Sequence, residues 1–201
     1  MNFSTVALDE VLANTVAALT KNGFNVLIAE NGEDAKRIAL SLVPEGAEVM
    51  TMSSETLRIL GISKELNESG KWNSVRAKFA KLDRVKDHRE MQRLGAAPEY
   101  SIGSVQGVTE DGHLLIASAS GSQIPAPVYG ADHAIFVVGT QKITPDLESA
   151  ERRLREYVLP LEDARAMVAY KAHSAINFEL RVNAVRPGRI SIVFIKQAIG
   201  F

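Results

Sequence analysis

The order of elements between residues 25 and 52 constrains the fold more than any other feature of the chain. Residues 25–29 (Asn-Val-Leu-Ile-Ala) are short and apolar, as in a strand that is buried on both faces. Asn31-Gly32 opens a segment with apolar residues at helical spacing, and residues 47–52 are typical of a second strand. A strand, a helix and a strand with short links predict a parallel βαβ unit with a right-handed crossover.

The rest of the chain extends this pattern. Residues 133–139 are the most strand-like run, and residues 189–195 predict a closing strand. The polar segment 63–97 predicts a helical excursion over the sheet, while Pro160 is expected to divide two helices of the tail. We therefore predict one α/β domain over residues 1–201, with three αβα layers and a mostly parallel sheet.

Composition excludes several function classes. The chain has no cysteine, which excludes disulfides, thiolate nucleophiles and cysteine-ligated iron–sulfur clusters. With a net charge of −1, the protein has no overall positive charge that would attract it to nucleic acid or anionic lipid. No apolar run is long enough for a membrane span and no basic leader precedes the first elements, so we expect a cytoplasmic protein. The four histidines lack metal-ligand spacing, and we expect neither a metal site nor a cofactor.

A hairpin is predicted between residues 102 and 116, because Asp-Gly at its centre supplies the positive φ that tight turns require. Glu110 lies in this turn at a strand end, where we expect it to face the loop 118–123. A partly desolvated carboxylate there has the properties of a general base. The alternative is that residues 110–112 serve only to form the hairpin turn, with no catalytic role, and both interpretations stay open.

The loop that contains Ser120, Gly121, Ser122 and Gln123 is a candidate anion site. It enters a predicted helix at residues 124–129, so hydroxyls and backbone N–H groups would meet an anion at the positive end of the helix dipole. The loop lacks the glycine pattern of a dinucleotide fingerprint and the Gly-Lys-Ser/Thr of a P-loop. Neither NAD nor ATP is therefore indicated.

Two further groups are candidate ligand contacts. Lys142 follows the strand 133–139, at the sheet edge where open α/β sheets place ligands, and would neutralise a phosphate or carboxylate. A solvated surface lysine is the alternative. Ser53, Ser54 and Thr56 begin a helix after the strand 47–52 and form either a second anion-binding turn or a simple helix cap.

Six motifs of the chain are found at residues 100–112, 119–122, 133–139, 141–143, 145–147 and 198–201. Together they resemble the LUD-domain family (lactate-utilisation protein C-like). The resemblance implies the fold group of ribose-5-phosphate isomerase, glucosamine-phosphate deaminase and the CoA transferases, with the ligand at the carboxyl ends of the strands. It also implies a role in L-lactate utilisation. In the wider fold group an acidic residue in this part of the sheet is the acid/base, and the similarity implies that Glu110 or Asp111 takes that place.

Two functions remain open at this point. In the first, the domain is an enzyme or sensor that binds a small anionic metabolite, which is a carboxylate, a phosphorylated compound or a CoA-linked compound. In the second, it is a noncatalytic accessory or assembly subunit of an iron–sulfur or flavin lactate-oxidising complex. We expect a homodimer on the ground that two-fold dimers are the commonest assemblies.

Overall fold

The computed structural model describes residues 2–201. The strands, in chain order, are β1 (Asn25–Ala29), β2 (Glu48–Thr51), β3 (Asn73–Ser74), β4 (Tyr100–Gly103), β5 (Gly107–Thr109), β6 (Leu114–Ser118), β7 (His133–Gly139), β8 (Ile143–Thr144), β9 (Phe178–Val182) and β10 (Ile190–Ile195). The α-helices are α1 (Asp9–Lys21), α2 (Gly32–Ser41), α3 (Glu55–Ile59), α4 (Ile62–Glu68), α5 (Val75–Phe79), α6 (His88–Ala96), α7 (Leu147–Arg153) and α8 (Leu159–Tyr170).

The main sheet has six strands in the order β1-β10-β7-β4-β2-β3, and every neighbouring pair is parallel. The central strands β7 and β10 are apolar along nearly their whole length, because a strand buried on both faces has no polar side. Helices flank this sheet. The α/β prediction is confirmed, as are the strands expected at residues 25–29, 47–52, 133–139 and 189–195.

Two hydrophobic cores lie on opposite faces of the main sheet. Along β10, Ile192 and Phe194 point into one core, whereas Val193 and Ile195 point into the other. The second core is closed by α2, α3 and α4 through residues such as Ala39, Leu57 and Leu66. The first core is closed by α1 together with a smaller sheet, so this outer layer contains strands as well as a helix.

The smaller sheet has the order β8-β5-β6-β9. Its centre is the predicted hairpin, in which β5 and β6 are antiparallel around the Asp111-Gly112 turn. The first arm was expected to begin near Ile102, but the chain leaves the main sheet after Gly103 and only then enters β5. Strand β9 was not predicted, and it pairs with β6 although it lies much later in the chain. Helix α7 and the π-helical turn after it pack on the outer side of this sheet, where Ala150 and Leu154 form an apolar cluster with Leu115 of β6.

The predicted break at Pro160 is wrong. The backbone stays helical from Leu147 to Tyr170, because a π-helical turn at Leu154–Val158 joins α7 to α8. This turn starts a new helical register, and Pro160 falls in the first turn of α8, where a missing N–H is tolerated. The helix predicted at residues 124–129 is also shorter than expected and is a single π-helical turn at Ala126–Gly130.

The helical excursion is present at residues 63–97 as parts of α4, α5 and α6, joined by turns and the short strand β3. Helix α5 begins on Ser74, whose hydroxyl accepts from the Ala77 N–H at 3.1 Å. Across residues 2–201, no helix combines the length and the apolar character that a bilayer span requires.

We expect Gly112→Ala to destabilise the protein by roughly 2–4 kcal/mol. Gly112 has φ +86°, and an added Cβ would lie 2.7 Å from the Ala18 carbonyl carbon, which belongs to the backbone of α1. Gly188→Ala is the matched control, because Gly188 has φ +82° and open space around it. Urea unfolding should show a loss of only about 1 kcal/mol for the control. Equal losses in the two variants would contradict close packing of the hairpin on α1.

Candidate functional site

A cavity of about 1050 Å³ lies beyond the carboxyl ends of β2, β4, β6 and β7. The residues that follow these strands form one side, the excursion forms a second, and the helical tail forms a third. The strand-end residues are 53–56, 104–106, 117–120, 122–123 and Lys142. The excursion contributes Arg76, Phe79, Ala80, Leu82, Arg84, His88, Met91 and Gln92. The tail contributes Leu154, Val158, Leu159, Glu162, Arg165, Ala166, Tyr170, residues 172–176 and Phe201.

Lys142 is the most unusual group in this cavity. The chain leaves β7 through a 3-10 turn at Thr140–Lys142, which turns the side chain inward until only 2% of the residue is exposed. Its Nζ lies 3.3 Å from Thr56 Oγ1, 3.1 Å from Ser104 Oγ and 3.2 Å from the Val105 carbonyl oxygen. Within residues 2–201, no carboxylate lies within ion-pair distance of it.

Burial lowers the pKa of Lys142 from 10.5 to about 7, and the positive charge of Arg153 acts in the same direction. Arg153 is itself fully buried. It donates a short hydrogen bond to the Gln106 carbonyl oxygen, and its guanidinium lies 5.3 Å from the ring centre of Tyr157. Its Nε and second terminal nitrogen have no partner among the described residues. Burial lowers the pKa of Arg153 to about 10.

Arg76 supplies a second cation that lines the cavity. Its Nε donates to the Thr51 carbonyl oxygen at 2.8 Å, and a terminal nitrogen donates to Ser53 Oγ at 3.3 Å. Burial is the main reason that the pKa of Arg76 is lowered, and nearby Arg84 contributes. In the part of the chain that the structure describes, no carboxylate pairs with Arg76. Because Ser53 and Thr56 belong to one short segment, Arg76 and Lys142 converge on the same wall of the cavity.

The acidic residues of the cavity are already paired. Glu162 binds Arg165 at 2.6 Å, and Glu55 lies 2.8 Å from Arg58 and 3.9 Å from Arg165. These pairs compensate the charge of Arg165 but leave Lys142 and Arg76 uncompensated. Lys142 and Arg76 are therefore basic groups of the cavity that have no carboxylate partner among residues 2–201.

Most residues that the sequence suggested as ligand contacts do meet at this cavity. Ser53 and Ser54 line it just before α3, and Thr56 lines it from the first turn of α3. Ser120, Ser122 and Gln123 line it from the loop after β6, and Lys142 lines it as well. The hydroxyl of Ser54 caps α3 by accepting from the Leu57 N–H at 3.3 Å. The cap interpretation therefore applies to Ser54, while Thr56 contacts Lys142.

The loop 120–123 differs from the expected anion cradle. The Gly121 N–H donates to Ser118 Oγ at 3.0 Å, and the Ser122 N–H donates to Ser120 Oγ at 3.4 Å. These N–H groups are occupied within the loop, and Gly121 is not among the lining residues. Because only a single π-helical turn follows, the extended helix dipole that the expectation required is also missing.

Glu110 lies outside the cavity lining. Its N–H donates to the Thr144 carbonyl oxygen at 2.9 Å, and the turn beside it is held by Asn22, whose side-chain amide donates to the Gly112 carbonyl oxygen at 2.9 Å. The turn therefore packs on α1 rather than facing the loop 120–123. The expected location was wrong because the hairpin belongs to the smaller sheet. Its turn lies at one end of β6, whereas the cavity lies at the other end.

Sequence reasoning missed Ser104, Arg76 and Arg153. A prediction that placed the end of a strand at Gly103 would have identified Ser104, because residues just beyond the ends of parallel strands are ligand candidates. Arg153 lies three residues after Ala150 on the apolar stripe of its helix, a pattern that signals a buried charge. Arg76 has no such signal, because only the packing of the excursion brings it to the cavity.

We expect Lys142→Met to raise the free energy of unfolding at pH 6 by on the order of 3 kcal/mol. The unfolded chain keeps the lysine proton up to a pH near 10.5, whereas the folded chain releases it near pH 7. The cost of burying the charge is thus fully present below pH 7, and wild-type stability rises between pH 7 and 10.5. The advantage of the variant should therefore shrink over that window.

Urea unfolding at pH 6 and pH 9 measures this change. Lys81→Met is the control, because Lys81 is exposed and its replacement should have a small effect at both pH values. An equal gain for Lys142→Met at the two pH values would show that the buried amine does not titrate as described.

Comparisons with known proteins agree with the fold. The family model described as LUD domain matches residues 12–195. A crystal structure of a DUF162 family protein from Deinococcus radiodurans has a TM-score of 0.57 and 10% identity, covering 95% of this chain and 99% of that chain. Ribose 5-phosphate isomerase from Plasmodium falciparum has a TM-score of 0.35 and 12% identity, covering 63% of this chain and 64% of that one.

Ribose 5-phosphate isomerase A from Neisseria gonorrhoeae has a TM-score of 0.33 and 16% identity, with 58% of this chain and 56% of that chain covered. A search among curated proteins finds no match. The family model covers nearly the whole described chain, and the Deinococcus structure shares its fold from end to end. The chain therefore belongs to the LUD domain family, and this membership supports a role related to lactate utilisation.

Proposed function

We propose that the cavity binds a small organic anion, with a carboxylate or phosphate group, and that the domain acts on or senses this metabolite. One observation carries the proposal. Two cationic side chains, Lys142 and Arg76, converge on residues 53–56, and neither has a carboxylate partner in residues 2–201. A ligand anion between them would supply the missing charge.

The free-energy cost of burying charge supports this assignment. A buried lysine or arginine is normally paired, because removal of its hydration is expensive unless an opposite charge replaces the water. The Lys142 amine contacts two hydroxyls and one carbonyl oxygen, which solvate a cation but do not neutralise it. The hydrogen-bond partners of Arg76 are likewise a carbonyl oxygen and a hydroxyl, and its guanidinium lies 6.0 Å from the ring centre of Phe79. An anion bound between buried Lys142 and half-buried Arg76 would neutralise both side chains.

The dimensions of the cavity bear on the class of ligand. About 1050 Å³ lies just above the range that is usual for sites of drug-sized ligands. A three-carbon acid would fill a small part of this space, whereas a phosphorylated or CoA-linked compound would use much more of it. Leu154, Val158 and Ile176 provide an apolar wall for the uncharged part of such a compound.

The proposal assigns no acid/base role to Glu110, because this residue does not line the cavity. The alternative function, as a noncatalytic accessory subunit of a lactate-oxidising complex, does not need a ligand in the cavity. The two functions therefore differ in whether small anions bind to the isolated chain.

We expect an anion at about 100 times its dissociation constant to raise the melting temperature by roughly 5–10 °C. Pyruvate, L-lactate, glycerol 3-phosphate and acetyl-CoA are suitable probes in a thermal-shift series. Arg76→Gln should weaken the effect at least tenfold in ligand concentration, because about 1.4 kcal/mol of charge interaction is lost.

Arg93→Gln is the matched control, since Arg93 is exposed on the excursion and does not line the cavity. It should leave the dose response unchanged. If none of the four probes raises the melting temperature of the wild-type protein, the anion-binding proposal fails. Affinity capture of iron–sulfur or flavin subunits would then favour the accessory role.

A further inference from the structure

The chemical state of Lys142 suggests more than charge recognition. Its Nζ has three hydrogen-bond neighbours, and they do not all require an ammonium group. The Val105 carbonyl oxygen only accepts, and Thr56 accepts from Lys142 because its own hydroxyl donates to the Ile199 carbonyl oxygen at 3.4 Å. Ser104 Oγ has no other hydrogen bond among the described residues, so it accepts from an ammonium or donates to the lone pair of a neutral amine.

The same surroundings favour the neutral form. The amine is buried, no carboxylate stabilises its positive charge, and Arg153 is the nearby charged group that opposes protonation. With the pKa of Lys142 lowered to about 7, the neutral amine is far more populated at pH 7 than in an exposed lysine. An ordinary exposed lysine is almost entirely protonated there and therefore unreactive as a nucleophile.

The cavity also provides a way to orient a ligand. Arg76 reaches Ser53 and Lys142 reaches Thr56, so the guanidinium and the amine meet opposite ends of the segment 53–56. A compound with an anionic group and a carbonyl group close together could bind Arg76 through the first and present the second to Lys142. The 2-oxo acids and the phosphorylated aldehydes or ketones have this arrangement.

We propose that Lys142 forms an imine with the carbonyl carbon of an organic anion whose charged group is held by Arg76. This inference rests on the proposed function, because it uses the same cavity and the same class of ligand. It adds a covalent role for the amine and restricts the ligand to compounds that contain an aldehyde or ketone.

The step is balanced without an external oxidant or reductant. The lone pair of Lys142 Nζ attacks the carbonyl carbon, and the π electrons of the carbonyl bond move to its oxygen. A proton passes from the nitrogen to that oxygen, with the Ser104 hydroxyl in position to relay it. The carbinolamine then loses water and leaves a carbon–nitrogen double bond, and addition of water reverses the sequence.

Reductive trapping tests the inference on the wild-type protein. The full chain is incubated with pyruvate and sodium cyanoborohydride at pH 7, and the labelled lysines are mapped by peptide mass spectrometry. We expect Lys142 to be labelled at least about tenfold faster than Lys171, an exposed lysine in the same sample. Labelling of Lys142 that is no faster than labelling of Lys171 would overturn the imine.

Arg76→Gln tests the orientation of the ligand. The variant should slow labelling of Lys142 by pyruvate at least about fivefold, because the carboxylate loses its cation. Labelling by hydroxyacetone, which has a ketone but no charge, should stay within twofold of the wild type. An equal loss with both probes, or a loss with neither, would contradict the role of Arg76 in holding the anion.

The melting temperature separates this inference from the proposed function. If pyruvate stabilises the wild-type protein but Lys142 is not labelled, the imine is excluded and the anion site stands. If no anion probe stabilises the protein, the proposed function fails, whatever the labelling shows.

Discussion

The insertion of β10 between β1 and β7 is the constraint on which the rest of the structure depends. The last strand of the chain pairs with both neighbours in parallel and forms the middle of the main sheet. Both of its faces are buried, so helices must cover one side, and α1 with the smaller sheet must cover the other. The chain can reach this position only after the tail has passed over the smaller sheet, where it leaves β9 paired with β6.

This path also creates the cavity. The strand ends of the main sheet supply polar groups, and the tail that leads to β9 and β10 encloses them from one side with α8. The excursion encloses them from the other side with α5 and α6. The same closure that completes the core therefore removes Lys142 and Arg153 from water. A charge in such a place opposes folding, and its presence is more easily understood as a requirement of binding than of stability.

Local sequence patterns were sufficient for much of the fold. Apolar runs predicted β1, β2, β7 and β10, since strands buried on both faces must be apolar along their length. Asp-Gly predicted the hairpin because positive φ is a local demand. The rule that ligands bind beyond parallel strand ends selected Lys142 and the segment 53–56, and both line the cavity.

The errors share a physical cause, which is that they depend on contacts between distant parts of the chain. No local sequence pattern shows that one strand ends at Gly103 and that the next strand belongs to another sheet. Likewise, no local pattern shows that a π-helical turn precedes Pro160 and allows the helix to continue. Glu110 was misplaced because the direction of the hairpin relative to the main sheet is decided by packing on α1.

The sequence by itself determined the α/β class, the parallel strands and the position of Lys142 beyond a strand end, because these follow from periodicity and connection length. Only the tertiary structure decided that Lys142 is buried without a carboxylate and that Arg76 shares its wall. The charge state of a side chain depends on every group that replaces its water, and the groups around Lys142 come from the loop after β4, from α3 and from α7.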